Sequence, residues 1–207
     1  MTRRIAVLLS GSGRSLENLF VQITARTLNA EIGIVISSNP AAFGLERAKN
    51  RGVATAALAA ERGESAAQYS GRIFALVDKL QIDLVVLAGF LKILTIPDQY
   101  LGRVINIHPS LLPAFGGRGM YGHRVHEAVI QSGARVSGCT VHYVTNTVDA
   151  GPIIEQRIVN VPDGDTADSL AARVFEQELI ALPAAIEWHL NGMLQIRGQR
   201  VVRLDKI

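Results

Sequence analysis

Short, continuously apolar runs separated by helical patterns occupy the first half of the chain and constrain its fold more than any other feature. The runs Ile5–Leu9, Ile32–Ile36 and Leu84–Ala88 have the length of buried strands, and apolar residues recur at helical spacing between them. Strands that are apolar on both faces are typical of a parallel sheet covered by helices on both sides. The sequence therefore predicts an α/β fold with a mostly parallel, doubly wound, Rossmann-like sheet.

The pattern changes after Pro113. The stretch Ala114–Gly122 is rich in glycine and predicts a loop. The next two strands alternate, so we expect Val136–Val144 to be half exposed and Ile153–Val161 to pair with it in an antiparallel C-terminal part. The other expected elements are helices over Leu16–Ile23, Phe43–Arg51, Tyr69–Leu80, Val125–Gln131 and Asp165–Leu190 (with a kink at Pro183), strands at Val53–Leu58 and Arg103–His108, and a hairpin over Met193–Leu204.

The length of 207 residues suits one domain, or one domain with a small appendage. The sequence shows no internal repeat and no linker long enough to divide domains. We therefore expect a single domain over residues 1–207, with a nucleotide- and phosphate-binding half over residues 1 to about 100 and a catalytic half over residues from about 101 to 207.

Composition narrows the class of protein. The net charge is only +3 and the basic residues are scattered, so nucleic-acid binding is not predicted, whereas a small acidic ligand fits. The single cysteine allows no internal disulfide, which suits a reducing cytosol. The first apolar run has only five residues, too few for a signal core or a membrane span. We expect a soluble, cytoplasmic protein.

Asn106 and His108 stand together at the end of a predicted strand. They alternate with Ile105 and Ile107, so both polar side chains lie on one face of that strand. Pro109 then ends it, because proline cannot continue a central strand. In an open α/β sheet the ends of the strands form the edge at which ligands bind.

A carboxylate partner is available in Asp149, within the turn sequence Val148–Pro152. Taken singly, Asp149 is typical of a turn residue, and Asn106 and His108 are typical of structural hydrogen bonds. Taken together, an amide donor, a titratable donor and a carboxylate are the groups that stabilise an oxyanion and move a proton near neutral pH. We predict that the three residues are catalytic, although the sequence does not show that they meet.

The glycine-rich turn Ser10–Ser15 joins the first strand to the first helix and predicts an anion site. Backbone N–H groups and the helix dipole favour a negative charge there, Gly13 permits close approach, and Arg14 adds charge. Ser15 could cap the helix or bind phosphate. The turn lacks the third glycine of a dinucleotide fingerprint and the Gly-Lys-Ser/Thr of a P-loop, so a monophosphate fits better than NAD or ATP. A tight turn without ligand is the alternative.

The remaining histidines do not predict a metal site. His123 and His126 are three residues apart, but no neighbouring cysteine or cluster of acids completes a ligand set. Cys139 and His142 lie in the alternating strand, and we expect a buried thiol and a structural histidine there.

Seven pieces of the sequence, taken in their order, resemble the phosphoribosylglycinamide formyltransferases, the folate-dependent family of purine synthesis. The resemblance covers Arg4 to about Gly192. The pieces are Leu9–Gly13, Val35–Asn39, Phe43–Leu45, Leu87–Leu94, Asn106–Pro113, Gly138–His142 and Asp149–Ile154.

The resemblance implies the formyltransferase fold and the transfer of a formyl group from 10-formyltetrahydrofolate to the amine of glycinamide ribonucleotide. Both ligands are small molecules, and the expected enzyme needs no metal, nucleic acid or membrane and is a monomer or homodimer. By position, the resemblance implies that Asn106, His108 and Asp149 are the catalytic residues. It implies that Gly13, Arg14 and Ser15 bind the substrate phosphate and that Glu178 binds the ribose. The implied folate contacts are Leu91, Lys92, Ile93, Leu94, Asn106, Val144, Thr145 and Val148.

Two positions depart from the family pattern. Ser15 stands where the family usually has asparagine, and Leu179 follows Glu178 where the family usually has histidine. We expect these departures to affect the affinity for the substrate rather than the chemistry. Formyltetrahydrofolate deformylase, methionyl-tRNA formyltransferase, a formyltransferase with another amino-sugar acceptor and a non-catalytic folate- or nucleotide-binding module are the alternatives.

Overall fold

The structure is a computed structural model that describes residues 2–204. The chain divides into two compact units between Ile105 and Asn106, a division that falls inside the strand β5 (Val104–His108). None of the helices described in residues 2–204 has the length and apolar character needed to cross a membrane.

The first unit is a parallel sheet connected by helices, as the apolar runs predicted. Its strands follow the order β3-β2-β1-β4-β5; β1 pairs in parallel with β2 and β4, and β2 pairs in parallel with β3. Its other elements are β1 (Arg3–Leu9), α1 (Arg14–Thr24), β2 (Ala30–Ser37), α2 (Phe43–Asn50), β3 (Thr55–Ala57), α3 (Ala66–Lys79), β4 (Leu84–Leu87) and a 3-10 turn at Asp98–Tyr100.

The second unit contains the predicted antiparallel part. Its strands follow the order β5-β6-β7-β9-β8, with antiparallel pairing of β6 with β7 and of β8 with β9. The predicted kink at Pro183 stays a prediction, since the proline lies inside one continuous helix. The elements that follow β5 are α4 (His123–Ser132), β6 (Val136–Tyr143), β7 (Ile153–Asn160), α5 (Ala167–Leu190), β8 (Leu194–Arg197) and β9 (Arg200–Arg203).

The prediction that β6 is half exposed was wrong. Only its first residue, Val136, is exposed, and the strand is buried from Ser137 to Tyr143. Helix α5 packs against the strand, and the polar side chains of Thr140 and His142 form hydrogen bonds inside the protein instead of facing water. Alternation in a sequence identifies the two faces of a strand, but it does not identify what covers them.

Thr140 of β6 fixes the segment that follows β5. Its Oγ1 donates to the carbonyl of Ser110 at 2.6 Å and accepts from the backbone N–H of Leu112 at 3.0 Å. Gln156 of β7 donates from Nε2 both to Thr140 Oγ1, at 3.0 Å, and to the Leu112 carbonyl, at 2.9 Å. The hydroxyl of Thr140 thus uses its one proton and both acceptor positions in a fully buried place.

Removing the hydroxyl group of Thr140 will destabilise the protein more than removing its methyl group. Thr140→Val keeps the shape but leaves Ser110 O and Leu112 N without their partner, at a cost of about 1–3 kcal/mol for each buried group. Thr140→Ser keeps the hydroxyl and loses one methyl group, which costs about 1 kcal/mol. Urea unfolding of both variants measures the difference, and a valine variant as stable as the serine variant would contradict this account.

His126 is a buried histidine on α4. Its side chain is 5% exposed, and its Nδ1 is among the buried polar atoms without a hydrogen-bond partner in the described structure. Burial, together with the nearby His123 and His108, lowers the pKa of His126 to about 4. The ring is therefore neutral in the folded protein at neutral pH.

His126 makes stability depend on pH. Because its pKa is lowered from 6.5 to about 4 on folding, the unfolded chain binds the extra proton between these values, and stability falls as pH falls through that window. His126→Leu should remove up to about 1.4 kcal/mol per pH unit from the slope of unfolding free energy between pH 6 and pH 4. The exposed His123, whose pKa is raised by hydrogen bonds to Asp168 and Glu127, provides the control His123→Gln, which should leave that slope largely unchanged.

Candidate active site

The end of β5 brings the three predicted catalytic residues together in the second unit. His108 Nδ1 lies 3.6 Å from Asp149 Oδ2, and Asn106 Nδ2 lies 3.2 Å from Nε2 of His142. His142 Nε2 is in turn 3.7 Å from Asp149 Oδ1. Asn106, His108, Asp149 and His142 therefore form one cluster, in which both histidines are buried and Asn106 is half-buried.

The hydrogen bond of His108 assigns its ring nitrogens. Nε2 lies 2.9 Å from the carbonyl of Phe115, and because a carbonyl only accepts, Nε2 carries a proton. The other nitrogen, Nδ1, faces Asp149 at 3.6 Å, which is too long for a hydrogen bond. The hydrogen bond of Nε2 thus holds the ring in place, and Nδ1 is the ring nitrogen that can bind a ligand.

Asp149 is held by the loop that follows β5. Its Oδ2 accepts a hydrogen bond from the backbone N–H of Gly117 at 2.9 Å. Asp149 and Phe115 both adopt a left-handed backbone, with φ of 53° and 55°. Such conformations cost about 1–3 kcal/mol each in non-glycine residues and are often found at functional sites. The side chain of Asp149 therefore has a long-range partner, which a simple turn residue would not need.

Gly116 lies between these two contacts, where a side chain would crowd its neighbours. A Cβ added to it would lie 2.5 Å from Leu112 Cδ2 and 3.3 Å from Asp149 Cβ. The segment Phe115–Gly117 thus contacts His108 through its first residue and Asp149 through its last, and the absence of a side chain at its centre permits the close packing.

The predicted ribose residue, Glu178, lies on α5 and is half-buried.

The thiol of Cys139 on β6 has a raised pKa of about 12. Burial is the main cause, and the negative charge of Glu178 is the second. Cys139 is fully buried, as expected, and its thiol stays protonated and unreactive at neutral pH.

The predicted folate residues Val144, Thr145 and Val148 lie in the turn between β6 and β7. All three are half-buried. Thr145 Oγ1 donates to the carbonyl of Thr147 at 3.2 Å and accepts from its N–H at 3.3 Å. These short-range bonds shape the turn that leads into Asp149.

The predicted phosphate turn lies in the first unit. Gly13 is the N-cap of α1 and has φ of 72°, and a Cβ there would lie 2.7 Å from Cα of Gly44. The expectation that Ser15 could cap this helix is wrong, because Gly13 occupies the cap position and Ser15 is already the second residue of the helix. Arg14 is exposed and Ser15 is half-buried.

The other predicted folate segment, Leu91–Leu94, is joined to this turn within the first unit. The backbone N–H of Leu91 donates to Ser10 Oγ at 2.9 Å, and Ser10 Oγ lies 2.6 Å from Ser38 Oγ. Leu91 and Ile93 are 55% and 51% exposed although they are large and apolar, and Lys92 between them is also exposed, whereas Leu94 is buried. An exposed apolar pair of this kind is available to cover an apolar ligand.

The remaining histidines do not join a ligand cluster. His123 binds Glu127 at 3.0 Å and Asp168 at 2.9 Å. Among the described residues, no group of three or more histidine, cysteine or acidic side chains is placed to hold a metal ion.

Sequence reasoning missed two parts of this site. His142 was expected to be merely structural, although its position two residues from Thr140 on β6 is a signal that both side chains share a face. The backbone groups of Phe115 and Gly117 left no signal in the sequence, since only the path of the loop brings them to His108 and Asp149.

Comparisons with known proteins identify the family of this chain. Residues 3–186 match the family model described as formyl transferase. The chain is 37% identical over 194 residues to the phosphoribosylglycinamide formyltransferase of Escherichia coli (strain K12), covering 93% of this chain and 89% of that protein. It is 38% identical over 195 residues to the trifunctional purine biosynthetic protein adenosine-3 of Gallus gallus, covering 93% of this chain but only 19% of that longer protein.

The fold of this chain is also similar to that of solved structures of glycinamide ribonucleotide transformylases. The crystal structure of glycinamide ribonucleotide transformylase 1 from Symbiobacterium toebii matches with a TM-score of 0.92 and 36% identity, over 99% of this chain and 95% of that one. The strand order, the antiparallel C-terminal strands and the sequence similarity over nearly the whole chain lead to the same conclusion. This chain belongs to the formyl transferase family.

Proposed function

We propose that this chain transfers a formyl group from 10-formyltetrahydrofolate to the amine of glycinamide ribonucleotide, a step of purine biosynthesis. The convergence of Asn106, His108 and Asp149 in one cluster carries the proposal, because an amide, an imidazole and a carboxylate are the groups that formyl transfer needs. Similarity to phosphoribosylglycinamide formyltransferases over 93% of the chain supports the choice of substrates. The enzyme would act in the cytoplasm as a monomer or homodimer, without metal.

The reaction is a direct attack of the substrate amine on the formyl carbon. The carbonyl oxygen then becomes an oxyanion on a tetrahedral carbon, and it needs hydrogen-bond donors. Asn106 supplies one N–H of its amide, and His108 supplies Nδ1–H when its ring is protonated. Nε2 of His108 is already committed to the Phe115 carbonyl, so the proposed donor is Nδ1.

Asp149 completes the reaction by handling charge and protons. At 3.6 Å from His108 Nδ1, its negative charge offsets the positive charge that the ring carries while it donates to the oxyanion. It also orients a water that carries a proton from the attacking amine to the departing nitrogen of the folate. The intermediate then collapses, the bond from the formyl carbon to the folate nitrogen breaks, and the formylated amine and tetrahydrofolate leave.

The binding residues of this proposal are those that the family resemblance implies. Gly13, Arg14 and Ser15 bind the substrate phosphate, and Glu178 binds the ribose. The folate contacts are Leu91, Lys92, Ile93, Leu94, Asn106, Val144, Thr145 and Val148. Ser15 reaches less far than the usual asparagine, and the exposed guanidinium of Arg14 compensates with charge.

The activity itself is tested by the dependence of folate turnover on the acceptor. Release of tetrahydrofolate from 10-formyltetrahydrofolate is followed with and without glycinamide ribonucleotide, and we expect release only when the ribonucleotide is present. Release that does not need the ribonucleotide would indicate a hydrolase. Folate binding without any release would indicate a non-catalytic binding module, and either result would overturn the proposal.

The three catalytic residues are tested by substitution. Asn106→Ala, His108→Ala and Asp149→Ala should each lower kcat by about 100-fold to 1,000-fold or more, because each removes a group that acts on the transition state. Asp163→Asn, an exposed acid in the turn between β7 and α5, is the matched control and should keep wild-type turnover. Near wild-type kcat in all three alanine variants would refute the assignment.

A further inference from the structure

We propose that His142 is the positioning residue that sets the orientation of the Asn106 amide. The inference rests on the role given to Asn106 in the proposed function. It concerns a side chain that is 2% exposed, lies on the strand β6 and acts through Asn106 rather than through the substrate.

The proton of His142 can be located from its two contacts. Nδ1 lies 2.9 Å from the carbonyl of Tyr143, which can only accept, so Nδ1 carries the proton. Burial lowers the pKa of His142 and keeps the ring neutral, which leaves a lone pair on Nε2. Nε2 therefore accepts from Asn106 Nδ2 at 3.2 Å, and the direction of that hydrogen bond is fixed.

The fold places His142 for this contact. The register between β6 and β7 shifts between Val141 and His142, where β7 has the extra residue, Ile154. Because β6 itself has no extra residue there, it keeps its alternation, and His142 stays on the face that carries Thr140. At Gly151 an added Cβ would lie only 1.8 Å from the Tyr143 carbonyl oxygen, so glycine lets the next strand approach the group that binds His142. The tautomer of His142 is thus set by backbone that two strands hold in place.

The direction of the hydrogen bond matters because an amide has two unlike ends. With Nδ2 bound to His142, Asn106 keeps a second N–H on the same nitrogen, and that group can meet the formyl oxygen. If the amide rotated by half a turn, its carbonyl oxygen would replace this donor and would repel the developing oxyanion. An acceptor at Nε2 of His142 disfavours the wrong orientation before substrate arrives, which is preorganisation of a donor.

Because the ring of His142 is neutral, it does not form an ion pair with Asp149, which can then interact with His108. Nε2 of His142 is 3.7 Å from Asp149 Oδ1, close enough for an ion pair if His142 were charged. Because His142 is neutral, the carboxylate is available to its other neighbours, the Gly117 N–H and His108 Nδ1. His142 thereby orients the donor of Asn106 without taking part in the proton transfer proposed for His108 and Asp149.

Two substitutions separate this role from simple packing. His142→Asn can keep a donor near the position of Nδ1, but its shorter side chain leaves no acceptor at the position of Nε2, whereas His142→Gln can place its carbonyl oxygen near that position. We expect His142→Asn to lower kcat by about 10-fold to 100-fold with both KM values within about threefold of wild type, since a small misplacement of a catalytic group costs rate rather than affinity. His142→Gln should restore kcat to within about threefold of wild type.

A double-mutant cycle with Asn106→Ala completes the test. If His142 acts through Asn106, the double variant with His142→Asn will be no slower than Asn106→Ala alone. Wild-type kcat in His142→Asn, or losses that multiply in the double variant, would overturn the inference. Wild-type kcat in Asn106→Ala would instead remove the proposed role of Asn106, a distinct outcome.

A measurement on the unaltered protein covers the case in which a variant does not fold. Nitrogen NMR of ¹⁵N-labelled histidine distinguishes the two neutral tautomers and the charged ring. We expect His142 at neutral pH to carry its proton on Nδ1 and none on Nε2. A proton on Nε2 would contradict the inference whatever the variants do.

Discussion

Two buried side chains on one face of β6 hold the site together. Thr140 binds the backbone of Ser110 and Leu112, and His142, two residues further along the strand, binds Asn106. The first contact fixes the path of the chain as it leaves β5, and the second fixes the amide just before that exit. Buried hydrogen bonds are costly to leave unmade, so this face of β6 allows few arrangements of the neighbouring residues.

The loop after β5 binds the other two predicted catalytic residues, His108 and Asp149. The Phe115 carbonyl fixes the tautomer of His108, and the Gly117 N–H fixes one oxygen of Asp149. The left-handed backbone at Phe115 and Asp149 is the conformational cost of this arrangement. As a result, Nε2 of His108 is bound to the Phe115 carbonyl, and Nδ1 faces the carboxylate of Asp149.

The two histidines nearest Asp149 differ because of their hydrogen bonds. His142 donates from Nδ1 and accepts at Nε2, whereas His108 donates from Nε2 and turns Nδ1 to the carboxylate. Residue type alone does not distinguish them, since both lie on strands and both are buried. The carbonyl that each ring contacts decides which of its nitrogens carries the proton.

The sequence by itself determined the class of fold and the bounds of most elements to within a few residues, and it predicted Asn106, His108 and Asp149 as catalytic residues. Apolar periodicity and the local spacing of polar residues carry that information, because both depend on near neighbours in the chain. The tertiary structure alone decided that β6 is buried, that His142 contacts Asn106, and that backbone groups of Phe115 and Gly117 bind His108 and Asp149. Those facts depend on contacts between residues far apart in the sequence, such as Asp149 with Gly117, and no local pattern encodes which distant groups will meet.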